Sequence, residues 1–145
     1  MAGVLLSGPA GAGKSQLARQ LLAQLEGPAV AADFQSIVVA LLLLERAGDG
    51  RYPVRPDWIL PLAEYVRRAV VTGAVNRDMS VVLTNSDGDP ERRRFLLDLL
   101  GDGASERVFD PGRDVVAARL ADAVTGQLSA QCESAIARWY ARLRP

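Results

Sequence analysis

The sequence predicts an α/β fold: three layers, α/β/α, around a small, mostly parallel sheet of about four strands, in a single domain covering residues 1–145. Three observations predict it. Short segments that read as strands recur four times, the first of them an apolar run that ends at a glycine loop. Between them lie segments whose apolar residues repeat at helical spacing, and this alternation builds a parallel sheet with helices on both sides. The composition agrees, because 145 residues with 49% hydrophobic and 23% charged side chains suit one globular domain with its own core.

Residues 4–7 form the first apolar run and end at a glycine-rich turn. Residues 14–25 read as a helix, with Leu17, Ala18, Leu21, Leu22 and Leu25 on one side and Gly27-Pro28 as its stop. A second strand is expected over 29–33 and a helix over about 35–46. Residues 48–56 are a loop rich in glycine, proline and arginine. A helix over 61–74 follows, with Leu62, Tyr65, Val66 and Ala69 at helical spacing. The third strand is residues 80–84. Asp89 suits a helix N-cap with Pro90 at the first helical position, and Phe95, Leu96 and Leu99 are expected to face inward before Gly101.

The fourth strand is expected over 107–110, broken by Pro111-Gly112, with a helix over 114–124. A last helix starts at Ser129 and presents Cys132, Ile136, Trp139, Tyr140 and Leu143 on one face, a spacing that favours core packing over base stacking. Sheets of this kind bind ligands beyond the carboxyl ends of their strands, which here carry Gly8, Asp33, Asn85 and Asp110.

Composition narrows the chemistry. Histidine is absent, which excludes histidine triads, histidine bases and the commoner zinc sites. Acid–base work therefore falls to carboxylates or to a polarised water. Cys132 is the only cysteine, so no intrachain disulfide framework exists, as expected in a reducing cytosol. No basic segment precedes the first apolar run, and the run 37–44 is about half the ~20 residues that cross a bilayer. A cytoplasmic location, in a bacterium or a phage-infected host, and no membrane partner are the expectations. Formal net charge is zero, so an acidic partner must be held by a local patch.

Residues 8–15, Gly8-Pro9-Ala10-Gly11-Ala12-Gly13-Lys14-Ser15, meet the pattern Gly-x4-Gly-Lys-Ser in full, between a strand and a helix. That is a phosphate-binding P-loop in the context the motif requires. Glycines let successive backbone N–H groups turn toward phosphate oxygens, and the following helix adds the positive end of its dipole. Lys14 is the sole lysine among 17 basic residues, in a chain otherwise biased to arginine. A compact ammonium fits between β- and γ-phosphates where a planar guanidinium does not. The ligands expected are ATP, or another nucleoside triphosphate, and Mg2+. Lys14 would reach the phosphates, Ser15 would ligate the metal, and Gln16 would complete the nucleotide-binding set with the loop.

Residues 81–93 carry the sequence Val-Val-Leu-Thr-Asn-Ser-Asp-Gly-Asp-Pro-Glu-Arg-Arg. This stretch resembles the segment after the third strand in phage-type polynucleotide 5′-kinases. Residues 108–110 followed by Arg119, the closing residues 139–143 and the segment 33–37 resemble the same family along the whole domain. Residues 51–55, Arg-Tyr-Pro-Val-Arg, resemble a segment of small kinase-like proteins of tailed phages.

The resemblance implies a kinase-like P-loop NTPase fold and transfer of a γ-phosphoryl group to a hydroxyl of a nucleic acid, nucleotide or modified base. A nucleotide-binding ATPase or degenerate kinase-like scaffold, and a small-metabolite kinase, are the alternatives. Asp33 would be the base that takes the acceptor proton; the same position also suits the N-cap of the next helix. Arg119 would lie near the nucleotide and join Lys14 and Asp33 as a catalytic residue, or pair on a helix face. Arg51, Arg55, Asn85 and Arg93 are candidates for the acceptor site with Asp33, and Arg92 and Arg94 are open to the same role. Asn85 stands where the family has an aspartate, and Asp87-Gly88-Asp89 also reads as a turn with a cap. Ala123 stands where the family has a second arginine, which implies slow turnover unless Arg113, Arg119, one of Arg92 to Arg94 or a partner's arginine replaces it. The expected partners are thus a nucleoside triphosphate and a nucleic-acid or nucleotide acceptor; nothing in the sequence sets the oligomeric state.

Overall fold

The computed structural model describes residues 2–45, 55–122 and 125–143. Four parallel strands, β1 (Gly3–Ser7), β2 (Ala29–Ala32), β3 (Ser80–Asn85) and β4 (Ser105–Val108), form one sheet in the order β2-β3-β1-β4. Central β1 and β3 pair in register from Gly3↔Val81 to Ser7↔Asn85, while β2 and β4 form the edges. The helices are α1 (Lys14–Gln24), α2 (Phe34–Leu42), α3 (Ile59–Val75), α4 (Pro90–Leu100), α5 (Arg113–Leu120) and α6 (Ala130–Arg142).

Alternation of side chains along the central strands builds two cores. Val4, Leu6 and Val82 pack on one face with Ala18, Leu17, Leu21, Leu22 and Leu25 of the α1 region. Leu5, Val81 and Leu83 point the other way, onto Val71 and Ala74 of α3 and Leu96 and Leu100 of α4. The three-layer expectation holds. Among the described residues, no helix is long and apolar enough to cross a membrane.

The strand–helix order follows the sequence reading, with two shifts of boundary that matter. β2 stops at Ala32, because Asp33 leaves the ladder to cap α2. β4 runs over Ser105–Val108, two residues earlier than expected, since residues 105–108 carry the pairing with β1. The apolar residues that repeat along the expected helix over 61–74 do not mark the packed face of α3. Its buried residues are Ile59, Ala63, Arg67, Val71 and Ala74, whereas Leu62 and Tyr65 are exposed. Both stripes repeat at helical spacing, and the packed one contains an arginine that makes it look less apolar. Phe95 is also exposed, lying beneath the guanidinium groups of Arg68 and Arg92 instead of in the core.

At the other end of the chain, α6 acts as a clamp. Trp139 is fully buried, and Gly88 lies so close to α6 that a Cβ there would sit 2.6 Å from the Trp139 carbonyl oxygen. The Tyr140 hydroxyl donates to Asp110 at 2.6 Å. The segments following β3 and β4 are therefore both fastened to one helix.

Candidate functional site

The loop between β1 and α1 has the geometry its sequence implies. Gly11 and Gly13 have φ of +77° and +99°, values that glycine adopts without strain. Gly8 serves another need: a Cβ there would meet the Phe109 carbonyl oxygen at 2.3 Å. Gly13 begins α1 without a side-chain cap, and no acidic residue occupies the first turn. The first N–H groups of an eleven-residue helix are thus left for a ligand, with the helix dipole behind them.

Lys14 is buried, not projecting free. Its Nζ donates to the carbonyl oxygens of Gly8 at 2.8 Å and Pro9 at 2.7 Å, drawing the ammonium across the loop. Burial pushes its pKa down from 10.5 to about 8, against the attraction of Asp33, which raises it. Gln16 is exposed on α1. Arg119, from α5, lies over the loop and donates from Nη1 to the carbonyls of Ala12 at 3.0 Å and Gly11 at 3.3 Å. Apolar packing of Ala12 with Val116 and Ile136 holds α5 and α6 against the loop.

Asp33 meets the loop from the other side. Its Oδ1 accepts from the hydroxyls of Ser15 and Thr84, each at 2.9 Å. Its Oδ2 accepts from the Ser36 backbone N–H at 2.9 Å and the Ser36 hydroxyl at 2.6 Å. Burial alone would raise the pKa of this carboxyl, but the bonds from Ser36, Ser15 and Thr84 outweigh it and hold the pKa below 3.8. Capping and site geometry are both present in the one residue. The Ser15 hydroxyl and Asp33 carboxylate are adjacent oxygen donors of the type a hard Mg2+ ion takes, so the donor set fits that metal.

The remaining candidates divide. Arg55 donates to Gln35 on α2 at 3.2 Å, with its guanidinium 5.9 Å from the Phe34 ring centre. Asn85 is buried at the end of β3, where its amide donates to the Asp87 carbonyl at 2.7 Å and its oxygen accepts from the Asp87 N–H. It shapes the turn, while Asp89 caps α4 through the Glu91 N–H. Arg93 is tied by two 2.8 Å bonds to Glu106 on β4, which raise its pKa against the opposing effect of burial. Since β4 and β2 are opposite edges, three strand spacings of roughly 4.8 Å separate that pair from Asp33. Arg51 and Ala123 lie outside the described residues.

Sequence reasoning missed Thr84, Ser36 and Arg67. Arg67 is 5% exposed and donates to the Thr84 carbonyl at 2.9 Å and to Glu64 at 2.5 Å, with its guanidinium 5.3 Å from the Phe34 ring centre. Its signal was present: an arginine four residues after Ala63 and four before Val71, on the face that packs.

No protein family and no curated protein matches the sequence. Solved structures do. A chain of the Pnkp1/Rnl/Hen1 RNA repair complex superposes with a TM-score of 0.71 at 17% identity, over 98% of this chain and 43% of that one. A gluconokinase from Sinorhizobium meliloti gives 0.59 at 15% identity, over 99% and 75%. The tunicamycin resistance protein of Deinococcus radiodurans gives 0.56 at 22%, over 97% and 79%. The chain thus spans less than half of the RNA-repair chain it matches. With the sheet order, these likenesses show that the chain shares the α/β fold of these proteins.

Proposed function

We propose that the protein is an ATP-dependent phosphotransferase that moves the γ-phosphoryl group to a hydroxyl of a nucleic acid, nucleotide or modified base. The observation that carries this reading is the 2.9 Å hydrogen bond from Ser15 to Asp33, which joins the phosphate loop to a carboxylate on the acceptor side. Kinase-like solved structures support it at the level of the fold.

The loop N–H groups and Lys14 hold the phosphate oxygens. Mg2+, when bound, neutralises phosphate charge, and Ser15 would hold it. Arg119 adds positive charge above the same loop. Asp33, kept ionised by its donors, orients the acceptor hydroxyl. As the new P–O bond forms and the bond from the γ-phosphorus to the β–γ bridging oxygen breaks, Asp33 takes the hydroxyl proton and ADP leaves. A carboxylate of depressed pKa is a weak base, which suits a loose transition state in which proton transfer comes late.

One observation favours the rival reading, an ATPase or degenerate kinase-like scaffold. Both oxygens of Asp33 are already occupied, by four donors in all. An acceptor screen with γ-labelled ATP separates the two, using 5′-hydroxyl DNA and RNA, nucleosides, DNA bearing hydroxymethylated bases, and gluconate. Label on an acceptor supports the kinase. Label released only as inorganic phosphate, whatever the acceptor, supports the rival.

A further inference from the structure

Helix α3 buries one face and leaves the opposite one apolar. Ile59, Ala63, Arg67, Val71 and Ala74 pack inward. Half-way round the helix from them stand Trp58, Leu62, Tyr65 and Ala69, spaced by four, three and four residues. Trp58 is 66% exposed, Leu62 46% and Tyr65 71%, and Ala69 is exposed as well. A stripe at this spacing runs straight along a helix, and it is the spacing by which two helices pack on each other. Its residue types include Trp and Tyr, which dominate the energetics of protein interfaces. Scattered singly, such residues need no explanation; aligned in one stripe, they mark a contact surface.

We infer that this face of α3 pairs with the same face of a second copy of the chain, antiparallel about a twofold axis. Three observations name the occupant. The first is fit. The axis that sets Leu62 opposite Tyr65 of the second copy also sets Trp58 opposite Ala69, because a step forward along one helix is a step back along the other. The largest side chain of the stripe thus meets the smallest, twice. The second is charge. Asp57 lies exposed just before the stripe, and Arg68, tied to Glu64 yet 48% exposed, lies beside its far end. Antiparallel pairing brings the acidic end of each copy to the basic end of the other. The chain's formal net charge is zero, so two copies approach without long-range repulsion. The third is area. At about 200 Å² for a large side chain, Trp58, Leu62 and Tyr65 together leave about 350 Å² open on each copy. With the residues that flank them, a pair buries about 1,000 Å², the lower bound for a specific interface, so the dimer is a reversible one. None of this depends on the phosphotransferase reading.

Sedimentation of the full chain from about 1 to about 200 µM should show monomer passing to dimer and nothing larger, with a Kd on the order of 10 µM. Tryptophan emission should shift to the blue over the same range. Because Trp139 is fully buried, that shift reports Trp58. The double variant Leu62→Glu with Tyr65→Glu, and its counterpart Leu62→Arg with Tyr65→Arg, change only exposed side chains. Each should stay folded and largely monomeric, with Kd raised at least about thirtyfold. Mixing the two should restore a dimer with one chain of each, because every contact between positions 62 and 65 then joins opposite charges. Tyr65→Ser, the mildest change, carries the test if a double variant does not fold. A chain that stays monomeric across the range overturns the inference and leaves the face to a different partner or to none. Oligomers that grow past the dimer overturn the twofold pairing. A dimer that survives the variants, or a mixture of the two that stays monomeric, overturns it as well.

Discussion

Lys14 should take up a proton when nucleotide binds at alkaline pH. In the ligand-free protein its ammonium is buried against two carbonyl oxygens, and its pKa is held at about 8 instead of 10.5. Polyphosphate placed in the loop supplies the negative charge that burial withholds, so the bound lysine is fully protonated. The uptake on binding should be about 0.1 proton at pH 7, about 0.5 at pH 8 and about 0.9 at pH 9. Calorimetry of ATP–Mg2+ binding in buffers of different ionisation enthalpy reads this number directly. The same displacement has a sign for stability. Between pH 8 and 10.5 the unfolded chain binds more protons than the folded one, so ligand-free stability should rise with pH through that window. The full rise is worth about 3 kcal/mol, and Lys14→Met should abolish it. Tight nucleotide binding at pH 9 without proton uptake would refute the argument.

Asp33→Asn should cut phosphoryl transfer by about 10² to 10⁴ while leaving ATP affinity within a few-fold, because the base is lost but Asn still caps α2. Parallel transfer assays and nucleotide titrations decide it, and equal losses in both would return Asp33 to capping alone. Lys14→Ala should weaken ATP–Mg2+ binding by at least about tenfold, as read by calorimetry at pH 7. Arg119→Ala should slow transfer by up to about 10³-fold with a smaller effect on binding, while wild-type turnover stays below the 1 to 100 per second of ordinary kinases, at about 1 per second or less; steady-state kinetics with the best acceptor tests both. Gly88→Ala should cost about 1 to 3 kcal/mol, since its Cβ would strike the α6 backbone, and a lower urea midpoint than wild type is the measurement.

Much of this protein was legible in order along the chain. The phosphate loop is a local device: Gly11 and Gly13 must turn through positive φ, and Lys14 and Ser15 follow at once, so the motif carries its own geometry. The alternation of Val4, Leu5 and Leu6 likewise determined which neighbours lie on each face of β1, because side-chain direction in a strand has a period of two. Asp89-Pro90 and Ser129 marked helix starts that the structure confirms by their caps.

What the sequence by itself could not decide was partnership between distant residues. Leu62 and Tyr65 repeat as well as Ile59 and Ala63 do, and only packing against α2 and the sheet chose the stripe that buries Arg67. Arg55, Arg67 and Arg93 are alike as letters, yet the strand order β2-β3-β1-β4 sets two of them over Phe34 and ties the third to Glu106 at the far edge. Asp33 could be a cap or a base, and the fold makes it adjacent to Ser15 and Thr84, 18 and 51 residues away. Loops and caps depend on neighbours a few bonds away, so the sequence alone determines them. A charged site depends on which chain segments the sheet brings side by side, and the burial and field acting on each group exist only after they have met.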